Sequence, residues 1–442
     1  MIIHMQVHNF FPKNPTVGLS TLVLFTLVFA HHFLPRSLAG PALIILGITL
    51  AIMSSGSIKR DYLQLIWPLF GVVVIGLLRI SEREPADILR DFCFSATPVS
   101  LVYIGYWLAD KGAPIRNIFR IIVVCGIVAS VLYIVQFIQN PTLFGAGLIE
   151  VRSAFGLPNS IFVIALAIFL HQKQWKLGAL QPKAIPRIIV LLLLVVTLVL
   201  SFSRTDFLVL VVLSIGLRGL LTKLNARILI VIAVAAVGYV TVGLTTPADE
   251  VGTLRSKISR TFTEISVANY EDNADVNNNW RGFETFKVLE TVSAGTTIQK
   301  IFGQGFGALA DLGLYMQLGD KDYRYISITH NGYAYILLKT GVVGVLLYVI
   351  FYIKIIKFAL RNARHSSGAK RSLSNLLLGV VFALIAVMYI IGGMAQMGEP
   401  VLVVLIGYLI RAIRRNDFNG IPIEPSRFRD EISLQRKESG SL

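Results

Sequence analysis

The chain has 442 residues, of which 55% are hydrophobic and only 15% charged, with a mean hydropathy of +0.69. Soluble domains carry roughly 25% charged residues, so these figures exclude a water-soluble enzyme, a disordered chain and a nucleic-acid-binding domain, and describe an integral membrane protein. The formal net charge of +16 would suit a polyanion, but its placement along the chain gives it another meaning.

Twelve apolar stretches are read near residues 17–33, 38–55, 62–80, 90–109, 117–139, 157–172, 186–203, 204–219, 226–244, 332–359, 374–395 and 398–414. A helix needs about 20 residues to cross a hydrocarbon core of about 30 Å, so the shorter ones are tilted or partly re-entrant. Assigned to alternate loops from the amino terminus, Lys and Arg number 26 on one side and six in the short loops on the other. The positive-inside rule then places both termini in the cytoplasm. The expectation is an all-α polytopic protein of about 12 transmembrane helices: helices 1–9 over residues 1–244, a large periplasmic loop with short helices over 245–330, helices 10–12 over 331–414, and a cytoplasmic tail over 415–442.

In chain order, the first 16 residues hold one Lys and no small-residue cleavage site, which reads as an uncleaved first helix. His31 and His32 are adjacent and do not share a helix face, so they do not suggest a metal site. Cys93 and Cys125 both fall inside apolar stretches, with no disulfide framework or thiol metal site indicated. Arg152-Ser-Ala-Phe-Gly-Leu-Pro-Asn159 precedes a stretch that Pro158 would start, a helix entry that could also line a lipid cleft. Residues 186–219 are flanked by basic loops, so topology requires a hairpin with its tip, Ser201-Phe-Ser-Arg-Thr-Asp206, on the outer face and Arg204 at headgroup depth.

The 86-residue loop 245–330 is net negative, with eight basic residues against eleven acidic. Connections this long are usually functional or disordered. Arg281 to Val292 reads as a short amphipathic helix, and Phe302-Gly-Gln-Gly-Phe-Gly307 as a tight, backbone-exposing turn. No nucleotide-binding strand precedes that turn and no Lys-Ser/Thr follows, so the Walker and Rossmann readings fail. Asp272 and Asp275 read as a solvated acidic loop. The stretch 332–359 is longer than a bilayer core requires, so its first turns project outside or bend at Gly341 and Gly344, which sets His330 at the outer mouth.

Three residues could carry chemistry. Arg204 is either a snorkelling anchor or ion-pair partner of Asp206, or a guanidinium that meets a lipid-linked phosphate. Arg281 is either a solvated loop charge or part of an anion site at a helix amino terminus. His330 is either structural or a general base. All three are predicted to face one compartment from three separate segments.

The order Arg152 to Asn159, Ser201-Phe-Ser-Arg204, Trp280-Arg281, Phe302 to Gly307, then His330-Asn-Gly-Tyr333 with Lys339-Thr-Gly341 resembles the bacterial O-antigen ligase and O-antigen polymerase superfamily. The resemblance covers residues 150–345. It implies a GT-C-type glycosyltransferase of the bacterial inner membrane, active at the periplasmic face without cofactor, nucleotide sugar or metal, with a glycan on undecaprenyl diphosphate as donor. Ligases use a lipid A-core sugar as acceptor, and polymerases use a second lipid-linked repeat unit. By the same resemblance His330 is the catalytic base, and Arg204, Arg281, Arg152 and Asn331 bind substrate. Ala154 and Leu157 depart from the commonest pattern, which has Gly and Asn there, and weaken the Arg152 loop as a transferable site. An O-antigen ligase-like enzyme is the first reading and a repeat-unit polymerase the second. A lipid-linked oligosaccharide transporter is the alternative of another class. It would instead place polar residues and broken helices at the membrane midplane.

Overall fold

A computed structural model describes residues 18, 22–24, 26, 34, 36–54, 59–80, 84–140, 160–172, 184–201, 203–222, 276, 280–318 and 321–415. Most of the stretch 17–33, the stretch 226–244, Arg152 with its loop, His31, His32, Asp272, Asp275 and the tail beyond 415 lie outside these residues.

Ten of the expected apolar stretches coincide with helices: α1 (Arg36–Met53), α2 (Arg60–Leu78), α3 (Pro85–Asp110), α4 (Ile115–Gln139), α5 (Ile161–Leu170), α6 (Ala184–Ser201), α7 (Arg204–Leu217), α10 (Gly332–His365), α11 (Gly368–Ile391) and α12 (Pro400–Arg415). Proline marks several starts because its fixed φ suits the first turn and its missing N–H would be unpaired there anyway. Pro85 and Pro400 are first residues, and Pro114 immediately precedes α4. Gly392 ends α11 in the left-handed conformation. Among the described residues, five helices are long and apolar enough to cross a membrane: α2, α3, α4, α10 and α11.

Burial explains what surrounds them. Along α6, Ile188, Leu192, Val195 and Val199 recur at helical spacing and are all exposed. An exposed apolar stripe of this kind is stable against hydrocarbon, where the hydrophobic term does not penalise it. Inside, helices approach through small residues, as membrane helices do. A Cβ on Gly105 of α3 would lie 1.9 Å from the Val404 carbonyl oxygen of α12, and one on Gly407 equally close to that of Val102. Gly216 and Gly379 do the same for α7 and α11. The helices α6 and α7 each pack on α5 rather than along one another, so the expected hairpin is splayed.

The segment before α10 is not purely helical, which modifies the all-α expectation. After α8 (Trp280–Ser293) and the short α9 (Thr297–Phe302), an antiparallel pair forms from β1 (Ala310–Leu318) and β2 (Lys321–Ile326). Ala310 faces Ile326, Met316 faces Tyr323, and the register shifts between Asp311 and Met316. Phe283, Val288 and Val292 of α8 join Ala310, Leu312, Met316 and Ile326 of the hairpin, and Ala334 and Leu338 of α10, in a small core of their own. This segment therefore sits on the first turns of α10.

Of the two alternatives for α10, projection outside or a bend at Gly341 and Gly344, a bend is present at Gly341, with φ 66° and ψ −167°, while Gly344 stays helical. A helix break frees carbonyls that must find other donors. The glycine turn after α9 supplies them: Gln304 N–H donates to Leu338 O at 2.9 Å and Gly305 N–H to Lys339 O at 2.9 Å. Phe306 N–H reaches back to Gly76 O of α2 at 3.1 Å. Gly305, at φ 89°, sits where a Cβ would lie 1.2 Å from the Arg79 carbonyl oxygen, so only glycine fits. With these N–H groups bonded to protein carbonyls, the turn is a docking element and not a phosphate cradle.

Candidate functional site

Beneath the glycine turn lies a buried ionic cluster. Asp91 of α3 is fully buried, its carboxylate accepting from Gly307 N–H at 2.8 Å and Tyr335 OH at 2.8 Å, with Lys339 Nζ at 2.6 Å. Lys339, also fully buried, donates in addition to the Ala308 carbonyl. A buried charge persists only when paired and hydrogen-bonded, and here two charges satisfy each other while fastening α3, α10 and the glycine turn. The cluster fixes the direction in which α10 leaves the hairpin, and so the position of the residues just before it.

Those residues are Thr329, His330 and Asn331. Asn331 caps α10, its side-chain oxygen accepting from Tyr333 N–H at 3.0 Å and Ala334 N–H at 3.2 Å. That oxygen is thus occupied by the helix end, as Asn at this position commonly is. His330 is exposed, and its Nδ1 lies 2.8 Å from Oε2 of Glu284. The same Oε2 accepts the backbone N–H of His330 at 2.9 Å. Two bonds to one carboxylate oxygen fix both the main chain and the ring. A carboxylate at Nδ1 favours the tautomer with its proton there, leaving the Nε2 lone pair as the acceptor.

Glu284 is buried on α8 in line with Val288 and Val292. It was not singled out in the sequence, although a carboxylate at i relative to apolar i+4 and i+8 occupies the buried stripe, which is a readable signal. Arg281 lies one turn earlier on α8, half-buried, with its main-chain carbonyl accepting from Thr285 Oγ1. Residues three apart share a helix face, so Arg281 and Glu284 are neighbours and His330 joins them.

Arg204 reaches the same end of the bundle by another route. It is the first residue of α7, half-buried, after Ser203, whose hydroxyl accepts from Asp206 N–H at 3.2 Å. Asp206 is within electrostatic reach of Glu399. Glu399 ends the connection between α11 and α12, where Met397 and Glu399 both have positive φ despite being non-glycine residues. Such strain persists only where surroundings enforce it, and here they do. The Ser160 hydroxyl donates to Glu399, and Gln396 Nε2 donates to the Thr329 carbonyl, next to His330. The connection 392–399 thus links the start of α5 to the start of α10, and neither Gln396 nor Glu399 had a sequence signal beyond polarity beside Gly and Pro. Arg152 lies outside the described residues.

Residues 189–349 match the family model described as O-antigen ligase. No curated protein matches the chain. The matched segment contains Arg204, Arg281, Glu284 and His330, so the residues gathered at this end of the bundle and the segment that carries the family pattern coincide. Over that segment the chain is similar to the O-antigen ligase and polymerase superfamily.

Proposed function

We propose that this protein is an O-antigen ligase-like glycosyltransferase that moves a glycan from undecaprenyl diphosphate to a hydroxyl of a lipid A-core sugar at the periplasmic face of the inner membrane. The observation that carries the proposal is the His330–Glu284 pair, one turn from Arg281, inside the segment that matches the O-antigen ligase family.

The chemistry follows from the groups present. The acceptor hydroxyl gives its proton to Nε2 of His330 as its oxygen attacks the anomeric carbon. The new carbon–oxygen bond forms as the bond from that carbon to the diphosphate oxygen breaks on the opposite face, with inversion. Glu284 holds the imidazole in the accepting tautomer and stabilises the imidazolium that forms. The leaving group is a polyprenyl diphosphate anion, and Arg204 and Arg281 offset its developing charge. Fixed cations of this kind act without reorganising at the moment of reaction. General base catalysis contributes typically 10²–10⁴-fold. A proton acceptor and two guanidinium groups are sufficient for such a transfer, so the proposed reaction is metal-independent.

The test is reconstitution of the purified chain in detergent with undecaprenyl diphosphate-linked glycan, lipid A core and EDTA, the products being resolved on a gel. Glycan on the core is the expected result. Lengthened lipid-linked chains with unmodified core would mean a repeat-unit polymerase. Donor binding without any new glycosidic bond would mean a transporter and would overturn the enzymatic reading.

A further inference from the structure

The end of the bundle opposite His330 holds a second polar layer. Lys59 and Asp61 stand at the start of α2, Asp110 ends α3, and Arg411 and Arg414 belong to the last turns of α12. Lys59 and Arg411 pair with Asp110, and Asp61 takes Arg414 at 2.9 Å with Arg411 at 3.7 Å. Lys354 of α10 reaches the same layer. It lies 22 residues beyond Gly332 in sequence, roughly 33 Å of helix at 1.5 Å per residue. Two carboxylates therefore face four cations, and the layer is left positive.

The excess charge is not spread over open surface. Between α2, α10 and α12 lies a cavity of about 240 Å³ with Lys354 and Arg414 in its wall, the remainder being largely apolar: Leu65, Trp67, Phe358 and Ile410. Lys354 Nζ stands 5.4 Å from the Trp67 ring centroid and donates to the Gln64 carbonyl. The Arg414 guanidinium carbon stands 5.5 Å from the Phe358 centroid. Among the described residues no carboxylate lies within ion-pair distance of Lys354. Beside the cavity, Leu63, Trp67 and Phe70 of α2 and Ile350 and Ile353 of α10 are exposed, an apolar surface of the kind that faces lipid.

We propose that this cavity seats the phosphate-bearing headgroup of an anionic membrane lipid, with Lys354 and Arg414 on the phosphate and the acyl chains along the exposed apolar faces of α2 and α10. The volume is below the roughly 300–1,000 Å³ of sites for drug-sized molecules, which suits a compact headgroup. A free phosphate would find the same cations but would gain nothing from the apolar wall or the exposed faces. Basic pockets between membrane helices are suited to anionic lipid because attraction and acyl burial act together.

The test uses the full chain in nanodiscs and the fluorescence of Trp67, isolated as the difference between wild type and Trp67→Phe. The chain has four tryptophans, so the difference is needed. Lipids brominated on the acyl chain near the headgroup are offered as phosphatidylglycerol or as phosphatidylcholine. Phosphatidylglycerol should be preferred by about fivefold per cation, the equivalent of about 1 kcal/mol each. The preference should fall in Lys354→Gln and Arg414→Gln and survive in Lys354→Arg, which keeps the charge. Equal quenching by the two lipids, or a preference that persists in both glutamine variants, would overturn the proposal. Loss of the phosphatidylglycerol signal on adding millimolar inorganic phosphate at constant ionic strength would assign the cavity to free phosphate instead.

Discussion

Replacing Glu284 tests the geometry at His330 most directly. Its Oε2 receives two bonds from one residue, the ring Nδ1 at 2.8 Å and the main-chain N–H at 2.9 Å. Glu284→Gln keeps the volume and one acceptor oxygen but removes the charge. Bonds to an ionised acceptor contribute about 1.5–3 kcal/mol and neutral ones about 0.5–1.5, so the substitution forfeits about 1–2 kcal/mol of support for the imidazolium. If that support is expressed in the transition state, kcat falls about 5- to 30-fold, at 1.36 kcal/mol per tenfold. Glu284→Ala removes the acceptor altogether and should cost about a hundredfold. The assay is single-turnover transfer from the lipid-linked donor, with donor binding measured separately and expected to change little. In a His330→Ala background, Glu284→Gln should have no further effect, since residues that act as a unit are not additive. A full additional loss in the double variant, or weakened donor binding with unchanged kcat, would refute the assignment of Glu284 as the residue that positions His330.

Three further outcomes are expected. Lys339→Met leaves the buried Asp91 carboxylate with only Arg90, at 3.7 Å, as a cation and should destabilise the protein by about 3–5 kcal/mol in SDS-titrated unfolding, whereas Asp91→Asn with Lys339→Met should recover most of that loss; a double variant as unstable as the sum of the singles would contradict the pairing. Gly341→Ala places a Cβ 2.3 Å from the Ile301 carbonyl oxygen at φ 66°, so it should lower stability by about 1–3 kcal/mol or more, while Val342→Ala, at an exposed position, should be nearly silent in the same measurement. Arg281→Ala should weaken donor binding about tenfold or more through the lost charged hydrogen bonds, with Arg281→Lys restoring it only in part because a bidentate fork is replaced by a point charge; full affinity in Arg281→Ala, read by titration with undecaprenyl diphosphate, would remove Arg281 from the donor site.

The contrast between what the sequence disclosed and what required coordinates has a physical basis. Helices facing hydrocarbon must satisfy their own backbone and present apolar side chains, so α2, α3, α4, α10 and α11 were legible as long apolar runs. The bend at Gly341 was legible too, because the run was too long for the bilayer and glycine was at hand. The β1–β2 hairpin was not, since Gly313 and the register shift interrupt the alternation that identifies a strand. At the site, His330 was readable as a polar residue at the junction of the large loop and a span, and Arg281 as the start of a short amphipathic helix within that loop, both local properties.

Glu284 acquires its role only through a partner 46 residues away, and Glu399 through one 239 away. No period or motif records a pairing of that separation. Even so, each such residue violates a local rule that holds elsewhere in the chain: Glu284 interrupts an apolar stripe, Lys339 and Asp91 lie within apolar helices, and Glu399 has a positive φ without being glycine. Burying a charge or holding a strained backbone costs free energy that packing alone does not return. Each violation therefore requires a compensating contact: His330 for Glu284, Lys339 and Gly307 for Asp91, Ser160 for Glu399. Glu284 compensates beside His330, Glu399 does so through Ser160 at the start of α5, and the Asp91–Lys339 pair acts at one remove, through the start of α10. The sites where local rules fail in this chain thus converge on the end of the bundle where the proposed transfer takes place.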